Sequence, residues 1–338
     1  MKLAEHARLS VAPMMDWTDR HCRMFHRMMS RHALLYTEMV TSAAIVHGDR
    51  ARLLDFNAVE RPLALQLGGS DPAELRQATA IAADWGYDEI NLNVGCPSDR
   101  VQSGCFGAVL MKQPGLVADC VAAMQSVSPV EVTVKCRIGV DDQIPEQVLP
   151  DFLARMRDAG IGRIAIHARK AWLQGLSPRE NREIPPLDHE LVHAMKRQFP
   201  DLHLSVNGGI DSMDAVRDHL RAMDGVMIGR AAYHRPWDML GEADRLWGAA
   251  PVAGSALDVA RAMRPRIRSH LRAGGRLHQI TRHMLGLFHG QPGARAWRRT
   301  LSEGASSGGI EVYDAALALV SGPDTRDATA LAGAAGPA

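Results

Sequence analysis

The sequence predicts a (β/α)8 barrel followed by a small C-terminal helical domain. Eight short apolar runs recur over about 240 residues, each followed by a helix-like stretch, which is the size and rhythm of a closed barrel. The C-terminal end of every run carries a polar group or a backbone suited to close approach. After about residue 240 the strand pattern stops and amphipathic helical spacing takes over. The runs, in order, are LSVAPMM (9–15), ALLYTEMV (33–40), PLALQLGG (62–69), DEINLNVGCP (88–97), VEVTVKCRIG (130–139), GRIAIHAR (162–169), LHLSVNGGI (202–210) and DGVMIGRA (224–231). Between them lie helix-start signals. Asp71 precedes Pro72 as an N-cap with proline in the first turn, and Asp211 is the expected cap of the segment from Ser212. A doubly wound open sheet, the rival fold, places a glycine-rich phosphate loop after its first strand. Here that strand ends in Ala12-Pro13-Met14-Met15. The expected division is a barrel over 1–240, a helical domain over 241–320 and a disordered tail over 321–338, which has almost no large apolar residue. In the helical part, Leu271, Leu277, His278, Met284, Leu285, Leu287 and Phe288 are the candidates for the apolar face.

Composition narrows the class. With 338 residues, 46% hydrophobic and 23% charged, the chain has ample material for a large core. Lys+Arg 39 against Asp+Glu 38 leaves a net charge of +1, so bulk charge names no partner. The apolar runs are strand-sized, short of the roughly 18 residues a membrane helix needs. Glu5 and His6 stand where a signal peptide carries its apolar run. Five cysteines without zinc-like pairing argue for a reducing compartment, against a disulfide framework and against a metal site. The expectation is a cytoplasmic enzyme.

The strand ends carry the chemistry, because a barrel's loops converge on that face. They are Met14, Glu38, Gln66, Asn93 with Cys96, Lys135 with Arg137, His167, Asn207-Gly208-Gly209 and Gly229-Arg230. A single Lys or His there is most often a bystander, but eight ends in register are harder to dismiss. The loops after the seventh and eighth strands are the usual phosphate site of barrels, where glycine backbone and Arg230 suit a dianion. Lys135 and His167 suit an anionic ring system such as a reduced flavin. Gln66 and Asn93 offer the amide groups that read a flavin or pyrimidine edge, and Met14 and Met15 an apolar surface for a flat ring. Cys22, Cys120 and Cys136 read as structural. Cys96 differs, since Gly95 and Pro97 set a turn that aims its thiol at the mouth. An ordinary thiol, titrating near about 8.5, is protonated at neutral pH and suits a general acid. A nucleophile would need that value lowered, and a zinc ligand lacks partners at usable spacing. Cys105, between Gly104 and Gly107, reads as incidental to chemistry on a mobile lid.

Basic residues are unevenly placed. Residues 251–300 hold ten arginines against one acid, Asp258. With Lys170, Arg179 and Arg182 after the sixth strand, and with Trp172 and Trp297 among the charges, this suggests a nucleic-acid phosphate footprint. Arg295, Arg298 and Arg299 share one face at helical spacing. The bland reading is a solvated face whose arginines pair with acids elsewhere.

Several segments resemble the tRNA-dihydrouridine synthases, most closely the A-type subfamily. They are APMMDWTDRHCR (12–23), TEMV (37–40), LNVGCPSDRVQSGCFGAVLM (92–111), VKCRIGVDD (134–142), IHARKAWLQGLSPRENREIPPLD (166–188), NGGI (207–210), GVMIGRAAYHRPW (225–237) and LFHGQPGARAWRRTLSE (287–303). The resemblance implies an FMN-bearing barrel that reduces uridine to dihydrouridine in the tRNA D-loop with NADPH (or NADH), and for the A-type at positions 20 and 20a. It places the flavin against Pro13, Met14 and Met15. Gln66, Lys135 and His167 would contact its ring or ribityl chain, and Asn207, Gly208, Gly209, Gly229 and Arg230 would hold its phosphate. Cys96 would be the proton donor. Asn93, Lys170, Arg179, Arg182, Arg295, Arg298 and Arg299 are the candidate tRNA contacts, and no stable protein partner is implied. Three alternatives remain: a flavin reductase of a free pyrimidine or enone, a non-redox phosphate-binding barrel with Lys135 as a Schiff base, and a non-catalytic RNA-binding module.

Overall fold

The structure is a computed structural model and describes residues 2–98 and 104–321. The segment 99–103 and all of the expected tail beyond Ser321 lie outside the described residues. Eight parallel strands close a barrel in chain order, seven of them inside their expected runs and the second running one residue past its own, to Thr41. They are β1 (Leu9–Val11), β2 (Leu34–Thr41), β3 (Leu63–Gly68), β4 (Glu89–Val94), β5 (Glu131–Arg137), β6 (Arg163–His167), β7 (His203–Asn207) and β8 (Gly225–Ile228). β1 pairs with both β2 and β8. Most strands stop short of the C-terminal end of their run. β1 gives way before Pro13 and β4 before Gly95-Cys96-Pro97, where proline and glycine end the ladder and begin the loops of the mouth.

Side-chain alternation divides two cores. Outward residues such as Ile90, Leu92, Val94, Val132, Val134, Ile164 and Ile166 pack under the surrounding helices. The barrel interior holds a small apolar set, including Ala12, Leu34, Tyr36, Ala64, Ala165 and Met227. The rest of the interior is polar: Gln66, Glu89, Asn91, Thr133 and Arg163 are all buried there. The helix Pro72–Ala83 starts as expected, with Asp71 accepting from the Glu74 N–H. At the helix Met213–His219 the cap is Ser212, whose hydroxyl accepts from the Ala215 N–H at 3.2 Å. Asp211 is not the cap; its carboxylate faces Arg235 at 3.6 Å.

The C-terminal helices are Ala256–Arg272, Leu277–Thr281, Ala294–Gly304 and Ile310–Ala318. Leu277, Met284, Leu287 and Phe288 are buried as expected, while Leu271, His278 and Leu285 are half-buried. The largest side chain of this core is Trp297. It is fully buried, stands edge-on to Phe288 and Tyr313, and donates its indole N–H to the Met284 carbonyl at 3.0 Å. These helices dock on the barrel through Asp19, which takes an Arg282 guanidinium at 2.6 Å and the His283 imidazole at 3.0 Å. His21 meets His270 edge-on across the same seam, and Tyr233, stacked on Trp17 at 4.4 Å, meets His283. Desolvation opposes the charge on Asp19, but the His283 and Arg282 bonds outweigh it and hold the carboxyl below its ordinary range.

Candidate active site

Strand register sets the layout of the mouth. Asn93 pairs with Lys135, Arg137 with His167, and His167 with Asn207. These positions alternate with the outward apolar residues, so their side chains are delivered to the inner face at the C-terminal rim. Glu38 lies further round, where its carboxylate accepts from the Asp16 N–H and secures the turn after β1. Met14 is half-buried beside Gly229, whereas Met15 is 53% exposed.

Cys96 sits in a turn held on several sides. The Asn93 side-chain oxygen accepts from the Gly95 and Cys96 N–H groups, both at 3.0 Å. Arg137 donates to the Gly95 carbonyl at 2.9 Å and braces the loop after β6 through the Lys170 and Asn181 carbonyls. The Cys96 carbonyl accepts from the Ala108 N–H at 2.9 Å, and its sulfur lies 3.4 Å from the Ser98 hydroxyl. Asn93, expected to meet nucleic acid, thus commits its amide to the chain itself. Its Nδ2 donates to Gln66, and Gln66 in turn donates to Asn91, each at 2.8 Å. Gln66 is buried with both ends of its amide engaged, so a ring edge would meet a side chain that is already oriented. The expected lid is anchored in its described part: Phe106 is buried against Gly68, and Cys105 is exposed in a left-handed conformation at φ 54°. The other three cysteines are buried, and burial pushes the Cys120 and Cys136 thiols up to about 12.

Positive charge gathers at the same rim. Desolvation lowers Lys135 to about 8 and Arg137 to about 10. Burial takes His167 well below its ordinary value, and Arg137, Lys135, Arg169 and Arg182 push it the same way, so the imidazole is neutral at pH 7. Burial, and then the charge of Arg230, lower Arg169 below its ordinary value as well. Glu183 is the carboxylate among them, 2.7 Å from Arg230 and 3.6 Å from Arg179. The Arg169 Nε is buried without a hydrogen-bond partner in the described structure. Such a set of cations fits an anionic ligand. Arg169 is missed by sequence reasoning, although its place two residues after His167 at the end of β6 was a usable signal.

The glycines divide. Gly208 and Gly209 have φ of 112° and 71°, and a Cβ on either would run into Leu187 or, at Gly208, the His167 ring at 2.6 Å. The chain packs closely against both, and Asn207 ties β7 to the Met227 carbonyl at 2.7 Å. At Gly229 a Cβ would meet only Met14 and Ala12, at 3.8 and 3.9 Å. There the protein leaves room above the rim, next to Arg230.

A family model described as Dihydrouridine synthase (Dus) matches residues 10–318. The chain belongs to the dihydrouridine synthase family. It is 57% identical over 314 residues to a protein of Shewanella oneidensis named tRNA-dihydrouridine(20/20a) synthase, covering 92% of this chain and 93% of that one. Proteins of the same name from Xanthomonas campestris pv. campestris and Escherichia coli O6:H1 are each 56% identical, over 302 and 317 residues. They cover 89% and 93% of this chain, and 90% and 95% of their own. Among solved structures, an old yellow enzyme homologue from Zymomonas mobilis superposes with TM-score 0.51 at 12% identity, over 75% of this chain and 91% of that one. Morphinone reductase gives 0.50 at 16%, over 72% and 86%. At such identities these two support the barrel fold alone.

In this synthase the remaining expected contacts scatter. Lys170 donates to the Gln143 carbonyl at 3.1 Å and lies over the Trp172 ring at 5.2 Å. Arg179 and Arg182 are both exposed, and Arg182 stands near enough to Cys96 and Arg230 to feel their charge. Arg295, Arg298 and Arg299 are exposed, opposite buried Trp297. Arg295 and Arg298 line a hollow of about 530 Å³ with His289 and Gln291; Arg299 lines another with Glu303 and Glu311. Trp297, expected among the charges, is core and unavailable for stacking. Arg264 and Arg282 are neutralised by Asp314 and Asp19, acids distant in sequence; the other eight arginines of 251–300 make no ion pair among the described residues. No helix among the described residues is long and apolar enough to cross a membrane.

Proposed function

We propose that this enzyme reduces uridine to 5,6-dihydrouridine at positions 20 and 20a of the tRNA D-loop, with FMN as the resident cofactor and NADPH as reductant. The observation that carries the reading is the Cys96 turn, held by Asn93 and Arg137 at a rim crowded with cations. The names of the relatives supply the substrate positions, and the chain's own residues fit the cofactor. The unpartnered Arg169 Nε, the room at Gly229 and the Arg182–Arg230 pair suit a phosphate. Lys135 and neutral His167 suit a flavin ring that gains negative charge on reduction. When bound and reduced, FMN supplies the hydride taken by C6 of uracil. The negative charge then sits on C5 and the C4 carbonyl, and Cys96 Sγ protonates C5. The thiolate left behind faces Lys135, Arg137 and Arg182, which offset its charge. A base must leave its stack to reach this mouth, at a cost of a few kcal/mol. Arg179, in the loop after β6, and the exposed arginines of the part of the chain from 241 onward offset that by holding phosphates. Such an enzyme works where tRNA is, in the cytoplasm.

The test is dihydrouridine mapping in tRNA from cells with and without this gene, together with the absorption spectrum of the purified protein. Loss of dihydrouridine at 20 and 20a and a flavin spectrum support the proposal. Unchanged modification, or NADPH oxidation driven as well by free uridine as by tRNA, contradicts it.

A further inference from the structure

Asn93 holds the Cys96 turn only because its oxygen, rather than its amide nitrogen, faces the Gly95 and Cys96 N–H groups. A carboxamide has two ends of nearly the same shape and opposite hydrogen-bonding sense, so something must choose. Asn93 donates to Gln66 Oε1, Gln66 donates to Asn91 Oδ1, and Asn91 donates to Thr133 Oγ1, each at 2.8 Å. Every link is buried, so no solvent molecule competes to reverse one. The column ends at Glu89, whose Oε1 accepts from the Thr133 and Tyr36 hydroxyls while Oε2 accepts from Arg163. A carboxylate beside a guanidinium is an acceptor at both oxygens. It claims the single hydroxyl hydrogen of Thr133, leaving only a lone pair for Asn91, and the choice passes upward one amide at a time.

We propose that Glu89, at the end of β4 opposite the mouth, is a positioning residue: through Thr133, Asn91 and Gln66 it sets the amide polarity by which Asn93 holds the Cys96 turn. The relay belongs to strand geometry. Glu89, Asn91 and Asn93 occupy alternate positions of β4, and Gln66 and Thr133 pair with Asn91 from β3 and β5. Reversed, Asn93 would present an NH2 group to two backbone donors, and the turn would lose its acceptor. The consequence for reaction rate rests on Cys96 as proton donor; the relay itself does not.

Amide hydrogen exchange at Gly95 and Cys96 reads the relay without substrate or turnover. Thr133→Val keeps the side-chain shape and removes the hydroxyl, and should raise exchange there at least tenfold, with Thr133→Ser restoring it to within about threefold. Tyr36→Phe removes a different donor from the same carboxylate and should stay within about threefold of the parent. Glu89→Gln should act like Thr133→Val, and Thr133→Val decides alone if losing the buried carboxylate beside Arg163, which keeps Glu131 at 3.1 Å, prevents folding. Unchanged exchange in Thr133→Val, or an equal rise in Tyr36→Phe, would overturn the proposal, the latter by showing general loosening of the barrel. Single-turnover dihydrouridine formation should slow in Thr133→Val and recover in Thr133→Ser, with flavin reduction by NADPH within about twofold throughout. Thr133→Val at full speed would sever the relay from the reaction. If Cys96→Ala forms dihydrouridine at the parent rate, the proton-donor reading fails, and the exchange result still judges the relay.

Discussion

The barrel mouth and the C-terminal helices both present clustered charge, but they build it differently. At the mouth, Lys135, Arg137, Arg169, Arg182 and Arg230 converge from separate strands and loops around a neutral His167, with Glu183 among them. On the helices, charge follows the sequence: arginines line the outer surface of Ala294–Gly304 while Trp297 turns inward. A converging cluster, with Arg137 buried and Lys135 and Arg169 half-buried, suits one small anion. A spread one is solvated, salt-sensitive and suited to a long polyanion.

Predictions that test this contrast run from the largest effect to the smallest. Trp297→Ala should cost about 3–5 kcal/mol of stability in the C-terminal helices, because a fully buried aromatic is removed. Trp297→Phe should keep tRNA affinity within about twofold; a loss approaching the 1–3 kcal/mol of a stacked base would make Trp297 a contact after all. Arg230→Ala should weaken FMN binding by about 1.5–3 kcal/mol, read by titration of the apoprotein, since it removes a charge-assisted partner and frees Glu183. Full flavin occupancy at unchanged affinity would move the phosphate site elsewhere. The triple variant Arg295→Ala, Arg298→Ala, Arg299→Ala should bind tRNA with a log–log salt slope shallower by about two to three units. Arg299 should contribute least, because Glu303 and Glu311 line its hollow. Flavin reduction by NADPH should not change in that variant.

The smallest effect is the one on pH. Lys135 is lowered to about 8, so the apoprotein loses this cation as pH rises through 8 rather than through the ordinary lysine range. FMN affinity should therefore decline above pH 8, and Lys135→Arg should flatten the decline. The sign for stability is opposite. Below about 8 the folded cation is carried at a desolvation cost that the unfolded chain escapes, so Lys135's penalty to folding fades as pH rises from 8 toward 10.5.

How much of this was legible varied with the kind of geometry involved. Strand order and the residues at strand ends follow from period-two alternation, and Asn93, Cys96, Lys135 and His167 arrive at one rim as that rule requires. The polar column of β4 was written in the same alternation, Glu89-Ile90-Asn91-Leu92-Asn93-Val94, and reading only its last member missed the relay. At Gly208 and Gly209 sequence reports the absence of a side chain without saying what lies against it; Leu187 and the His167 ring do. The pairing of Arg282 with Asp19, and of Arg264 with Asp314, depends on tertiary docking that no local spacing encodes.

The central claim is that Cys96 supplies the proton and nothing earlier. Cys96→Ala should be tested by rapid mixing in two separate steps: reduction of its flavin by NADPH, then reaction of the reduced enzyme with tRNA. The account predicts flavin reduction within about twofold of the parent and dihydrouridine formation slowed by two orders of magnitude or more, on the order of what a positioned general acid contributes. Dihydrouridine appearing at the parent rate would contradict it.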